Sequence, residues 1–241
     1  MSSGFPICTL RPIAWKNAIK EILWIFQDQS NSLDVLENKY GIHWWNSWES
    51  KDIPGTIGVR YGATVKKYDL VNKLINDIKM NPYGRRHIMS LWQEDDFKES
   101  DGLMPCAYET IWNVRGEYLD MVLIQRSGDM ITASGAGGVN EVQYATLLMM
   151  IAKTAEYKPG IFTHFVANEQ IYDRHIDAAK ELLKRADSQS LIMNDRKQYE
   201  FQPVSMEFNP KSNNFYEFTI DDFELVGYDP MKPQLKLELG I

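Results

Sequence analysis

LMPCAYETIWNVRGEYLDMVLIQRSGDMITASGAGGVN, residues 103–140, is the stretch whose reading decides the fold. Residues 107–114 and Tyr118–Gln125 are rich in β-branched and aromatic side chains. Arg115-Gly116-Glu117 between them predicts a tight hairpin, since glycine tolerates the backbone of a short reversal. Cys106 follows Pro105 at the mouth of the first run. The second run ends in Gln125-Arg126-Ser127, with Asp129 just beyond, and a glycine-rich loop leads on to Asn140, where a helix is expected to begin. A lone thiol, an arginine and an amide gathered at strand ends and loop mouths mark a candidate site.

Outward from this stretch, apolar spacing predicts helices. Residues 13–27 carry Trp15, Ile19, Ile22, Leu23 and Phe26 at helical intervals, with Glu21 inside the pattern. Leu33–Tyr40 reads as a short helix, and residues 68–80 as an amphipathic one stopped by Asn81-Pro82. Residues 141–155 form the most apolar helix and residues 171–185 another. Strands are expected at 86–92, 161–168, 199–202, 215–226 and 234–239, and turns around Pro54, Gly55, Gly58 and Gly62. Helices mixed with largely sequential strands, without regular alternation, predict an α+β fold with helices packed on one sheet. No repeat or linker divides the chain, so residues 1–241 are expected to form one domain.

A net charge of −7 gives no reason to expect a nucleic-acid partner, and no basic run suggests a membrane surface. No apolar run approaches the roughly 20 residues of a membrane span. No signal peptide is visible, and two cysteines, Cys8 and Cys106, make no disulfide framework, which fits a reducing cytoplasm. The two cysteines also lack zinc-ligand spacing, so no metal is expected.

Each candidate has a plainer role. A free cysteine is most often a small buried hydrophobe, and a thiolate needs a cationic neighbour, which Arg126 supplies if the hairpin brings it close. Arg85-Arg86 is usually a solvated face, though the guanidinium fork suits a phosphate. Asn140 would serve well as the N-cap of the helix that follows, and its amide could equally read a carbonyl beside an N–H on a heterocycle such as uracil. No Walker or Rossmann glycine motif is present.

These residues sit within islands that resemble the thymidylate synthase family: AIKEILWIFQ (18–27), WWNSW (44–48), GVRYG (58–62), GRRH (84–87), MPCAYET (104–110), QRSGDM (125–130), VNEVQYATLLMMIA (139–152), IYDRHID (171–177) and FTIDDFELVGYDP (218–230). The resemblance implies an α+β fold whose mixed β-sheet is covered by helices on one side and packs at a homodimer interface. It implies methylation of dUMP with 5,10-methylenetetrahydrofolate, without a metal, in the cytoplasm. Cys106 falls on the nucleophile that adds to pyrimidine C6. Gln125, Arg126 and Ser127 fall on substrate-binding positions, the last two on the phosphate and Arg126 also near enough to favour the thiolate. Arg85 and Arg86 fall on arginines that reach the neighbouring subunit's phosphate, and Asn140 on the reader of the uracil edge. Glu21 and Tyr61 fall on the proton-transfer network, and Tyr172 on a sugar-hydroxyl contact. Trp45, Trp48 and Asp129 fall on the folate pocket, and LKLELGI, ending at Ile241, resembles the tail that closes over the folate.

The chain departs from the family pattern at four places. An N-terminal segment of the family, which normally brings one more phosphate-binding arginine from a mobile loop, is expected to be missing, and Arg11 is not at its position. Gln170 stands where the family has a histidine on the sugar. Ser127 and Asn140 are thirteen positions apart, a few more than usual, and the loop lacks the customary Pro-Phe, so its glycines predict mobility. Ala107 replaces a histidine that often follows the nucleophile. A pyrimidine nucleotide hydroxymethylase, in which water captures the methylene intermediate, is the alternative, and a non-catalytic nucleotide-binding homologue a third reading.

Overall fold

The computed structural model describes residues 4–195 and 203–238. Its strands in chain order are β1 (Ile88–Ser90), β2 (Ala107–Arg115), β3 (Tyr118–Gln125), β4 (Gly128–Asp129), β5 (Lys158–Val166), β6 (Glu169–Gln170), β7 (Ser205–Phe208) and β8 (Phe223–Val226). The helices are α1 (Trp15–Ile22), α2 (Leu33–Tyr40), α3 (Gly62–Tyr68), α4 (Leu70–Met80), α5 (Glu94–Glu99), α6 (Val139–Thr154) and α7 (Ile176–Asp195). The main sheet has the order β1-β2-β3-β5: the first three strands pair antiparallel, and β5 joins β3 in parallel after crossing over through α6. Gly116-Glu117 closes the β2–β3 hairpin, with Arg115 opposite Tyr118 and Gly116 in the left-handed region at φ 61°.

The pleat explains why one sheet face is core. Leu119, Met121 and Leu123 of β3 and Trp112 and Val114 of β2 alternate inward. They meet α6, which is buried on every side from Val142 to Ala152 and lies between the sheet and α1. The outward face carries Ile88, Ile111, Ile161 and Phe165, all exposed, beside Val122 and Ile124. The register runs Ile88–Ile111–Val122 across three strands and pairs Ile124 with Phe165, so these side chains form one apolar surface.

Several expectations are corrected. The helix predicted over 68–80 starts two residues later, as α4, because Asp69 takes a left-handed conformation and ends α3, a helix that was not anticipated. Part of the stretch expected to be turns is therefore α3. The strand predicted over 86–92 shortens to β1, and α5 was not anticipated, its Glu-Asp-Asp start carrying no apolar period. The strand predicted over 161–168 starts earlier, at Lys158, and the helix predicted over 171–185 opens as a 3-10 turn, Asp173–His175, before α7. Residues 215–226 form two 3-10 turns before β8, because Asn214 and Thr219 cap local turns. β8 pairs with β7, which periodicity had not singled out. Residues 234–238 are not a strand, while residues 199–202 and Leu239 lie outside the described residues.

Candidate active site

A cleft of about 370 Å³ opens where the C-terminal ends of β3 and β4 meet α1, the α6 start and the aromatic turn after α2. Glu21, Trp45, Trp48, Tyr61, Cys106, Gln125, Ser127, Asp129, Asn140, Gln170 and Tyr172 all line it. Residues from seven separate stretches of chain thus converge on one volume.

Cys106 stands one residue before β2, and Arg126 one residue past β3. The ladder brings them together: Arg126 N–H donates to the Cys106 carbonyl at 2.9 Å. The Arg126 guanidinium is then anchored on the carbonyls of Pro105 (3.0 Å) and Met104 (2.8 Å), with one nitrogen 3.5 Å from Cys106 Sγ. Burial pushes the Cys106 thiol up, and the Arg126 charge offsets part of that. The expectation that Arg126 favours the thiolate therefore holds for the sign of its contribution, but desolvation outweighs it.

Tyr61 presents its hydroxyl to the backbone N–H of Cys106 at 3.3 Å. It does so from a left-handed backbone, φ 47° and ψ −106°, a costly conformation for a residue with a Cβ and one that recurs at functional sites. The next residue must be glycine: a Cβ on Gly62 would lie 2.1 Å from the Ser30 carbonyl oxygen. The close approach of these two chain segments fixes where Tyr61 points. Burial holds its phenol well above the ordinary range.

Glu21 belongs to the inward stripe of α1, between Ala18, Ile19 and Ile22, and a π-helical turn, Leu23–Gln27, follows directly. It is almost fully buried, and burial raises its carboxyl to about 7, against the opposing hydrogen bond from the Trp44 side chain. Trp44 Nε1 donates to Oε2 at 2.5 Å. A carboxyl poised near neutrality beside a thiol is suited to taking up and returning a proton. The Trp45 ring stands edge-on to Trp48 and Tyr61, with centroids 5.6 and 5.1 Å away, so the cleft has an aromatic wall for a flat ligand.

Asn140 is not the N-cap of α6. The helix starts one residue earlier, at Val139, behind a left-handed Gly138 at φ 66°. Asn140 is instead in the first turn, with Oδ1 accepting from Gln125 Nε2 (3.2 Å) and Nδ2 donating to Gln143 Oε1 (2.9 Å). The 130–139 loop is laced to its ends. Asp129 accepts from Ile131 N–H, Thr132 N–H and Thr132 Oγ1, while Ser134 bonds Glu169 and Gly135 N–H bonds Glu141. Gln170 and Tyr172 reach the cleft by the parallel pairing of β6 with β4, which sets Gln170 beside Asp129.

Four arginines and the tail behave differently. Arg126 stands beside Cys106 but is not among the lining residues, and Arg85 and Arg86 line a separate polar groove with Asp77, Asn81 and His87, just before β1. Within one chain they do not join the cleft. Arg11 is buried and donates to the Ile131 carbonyl at 2.9 Å, so it braces the loop. Ile241 lies outside the described residues. The preceding tail is tied down: Arg185 donates to the Pro233 carbonyl, and His175, 3.6 Å from Asp129, bonds the Glu238 carbonyl.

The sequence reading missed Trp44, Gln143 and His164. Gln143 carried a signal, as a polar residue three positions after Asn140 in an otherwise apolar helix. His164 carried none, since its role depends on the register of β5 beside β3, where it stands next to Leu123. Among the described residues no three His, Cys, Asp or Glu side chains converge as a metal site.

The comparisons with known proteins agree. The thymidylate synthase family profile matches residues 1–241. A thymidylate synthase of Streptococcus pneumoniae (strain ATCC 700669 / Spain 23F-1) is 51% identical over 246 residues, spanning 100% of this chain and 83% of that protein. One from Streptococcus gordonii (strain Challis) is 48% identical over the same span. The solved structure of thermostable thymidylate synthase A from Bacillus subtilis superimposes with a TM-score of 0.81 at 35% identity, covering 99% of this chain and 81% of that one.

Proposed function

The chain belongs to the thymidylate synthase family of methyltransferases, and from that premise we propose that its cleft methylates dUMP to dTMP with 5,10-methylenetetrahydrofolate. The observation that carries this is the convergence of Cys106, Glu21, Ser127 and Asn140 on one aromatic-walled volume. Cys106 Sγ forms a bond to pyrimidine C6, which makes C5 a carbon nucleophile. Glu21 holds the proton traffic at the ring, aided by the Tyr61 hydroxyl. Asn140 offers a hydrogen-bond donor beside an acceptor to the ring edge, and Ser127 with Arg126 turns donors toward the phosphate. Gln170 and Tyr172 take the sugar, where Gln170 donates without titrating.

The donor set fits a folate: Trp45 and Trp48 supply a flat apolar wall, and the Asp129 carboxylate faces the cleft to accept from a pterin N–H. When bound, methylenetetrahydrofolate supplies the one-carbon unit and then the hydride, leaving as dihydrofolate.

We further propose a homodimer with shared active sites. The outward apolar sheet face, with Ile111, Ile161 and Phe165 exposed, is more than a lone sheet leaves to water. Arg85 and Arg86 adjoin β1 at that face, which supports their delivery to the partner's phosphate site. A cytoplasmic location belongs to the same proposal, supported by two free cysteines. The test of the nucleophile is Cys106→Ser. Turnover should fall by at least about a thousandfold while dUMP still binds, whereas undiminished turnover would refute the assignment.

A further inference from the structure

We propose that Glu141 and His164, neither of which lines the cleft, are positioning residues that set through Gln125 which way the Asn140 amide faces. They thereby make the site select a uracil over a cytosine edge. The inference rests on the reading of Asn140 as the base contact.

The polarity of the line can be read from its fixed point. The Ser127 backbone carbonyl can only accept, and Gln125 Nε2 donates to it at 2.8 Å. The Gln125 amide is therefore not free to turn over. Its Oε1 faces His164 Nε2 at 2.9 Å, so that ring nitrogen carries a hydrogen and donates. On the other side of the ring, His164 Nδ1 stands 2.9 Å from Glu141 Oε1, which the backbone N–H of Gly135 also holds at 2.9 Å. Held at both nitrogens, the ring is gripped in one orientation within a mostly buried pair, His164 10% and Glu141 16% exposed in their side chains.

From Gln125 the same direction continues inward. Its Nε2 also donates to Asn140 Oδ1, and Asn140 Nδ2 donates to Gln143 Oε1. Gln143 and Glu21 both line the cleft at the inner end of this line. Every bond from His164 to Gln143 points the same way, and turning over one amide would set donor against donor at one of its ends and acceptor against acceptor at the other. Gln125 is about 1% exposed, so no water substitutes for a lost partner.

Held this way, Asn140 has one lone pair on Oδ1 and one hydrogen on Nδ2 left for a ligand. That is an acceptor beside a donor. Uracil presents N3–H beside O4 and matches both, whereas cytosine presents a bare N3 beside an amino group and opposes both. Asn140 alone cannot enforce this choice, because a free amide turns over at little cost. The hydrogen-bonded Glu141–His164 pair buried behind it supplies the constraint, with the glycine-rich loop clamping Glu141 from the far side through Gly135.

The test measures dissociation constants of dUMP and dCMP by quenching of the cleft tryptophans, without folate. The two nucleotides share sugar and phosphate, so the ratio isolates the base edge. His164→Leu and Glu141→Leu should each lower the preference for dUMP about tenfold, the weight of one net hydrogen bond. His164→Gln, which restores a donor to Gln125 Oε1, should recover most of it. Glu141→Gln, which still partners Nδ1, should stay near wild type. Asn140→Asp separates the two readings: it should invert the preference if Asn140 contacts the base. Inversion by Asn140→Asp with an unchanged ratio in His164→Leu and Glu141→Leu would overturn the proposal and leave the base contact standing. A ratio unaffected by Asn140→Asp would overturn both. Equal weakening of both nucleotides in the Leu variants, unrecovered by His164→Gln, would show a merely structural role and also overturn it.

Discussion

Replacing Glu21 with glutamine should make the protein more stable at alkaline pH and nearly inactive, because the site keeps a carboxyl where folding would rather have none. Burial raises its folded-state value from 4.5 to about 7. Between those two values the folded chain binds more protons at this group than the unfolded chain does. Stability from Glu21 is therefore lost as pH rises through that window, with the full penalty present above about pH 7. At about 1.4 kcal/mol per unit, the penalty is on the order of 3 kcal/mol. Glu21→Gln removes the charge at nearly constant shape. Its amide must still turn an N–H to a place where the carboxyl had an oxygen, which gives back about 1 kcal/mol. The net gain at pH 8 is about 2 kcal/mol, or roughly 4–8 °C in Tm for a chain of this length. At pH 5 the native Glu21 is mostly protonated and the gain should shrink below about 1 kcal/mol. Thermal unfolding of both proteins at the two pH values, at one protein concentration, reads this directly. An equal gain at both pH values, or a loss at pH 8, would refute the reasoning. In the same variant kcat should fall by about a hundredfold or more, as expected when a proton-transfer group is lost.

Gly62→Ala should cost about 3 kcal/mol or more, seen as a Tm fall of roughly 6 °C or more, because its Cβ would meet backbone that cannot yield. An unchanged Tm would mean that the Ser30–Gly62 approach is looser than the structure has it. Arg85→Ala and Cys106→Ser, each inactive alone, should regain activity when mixed as subunits, since one site of the mixed dimer then has both an intact thiol and an intact arginine. Assays of the unfolded and reassembled mixture test this, and absence of any recovery would count against shared sites.

Chemical identity was more legible in the sequence than geometry. Eleven of the candidate residues line one cleft, because the motifs around Cys106, Gln125–Asp129 and Asn140 are short and local, and the hairpin that joins the first two was readable from Arg115-Gly116-Glu117. Tyr118–Gln125 and Leu33–Tyr40 matched to the residue, since both have a clear period and a clear stop. What failed depended on backbone conformations that periodicity does not encode. Asp69 and Tyr61 adopt left-handed geometry without being glycine, which delays the start of one predicted helix and bounds another, α3, that was not predicted. Gly138 took the capping position that Asn140 would fill by residue preference, and this frees Asn140 for the cleft. His164 and Trp44 act across the fold, through the register of β5 and the packing of α1, so no local pattern marks them.

The central claim is that this cleft carries methyl transfer to a uracil nucleotide. Incubating the protein with dUMP and 5,10-methylenetetrahydrofolate and identifying both products by mass spectrometry tests it most directly. The account predicts dTMP and dihydrofolate in equal amounts, with neither formed by Cys106→Ser. A 5-hydroxymethyl nucleotide accompanied by tetrahydrofolate would contradict it.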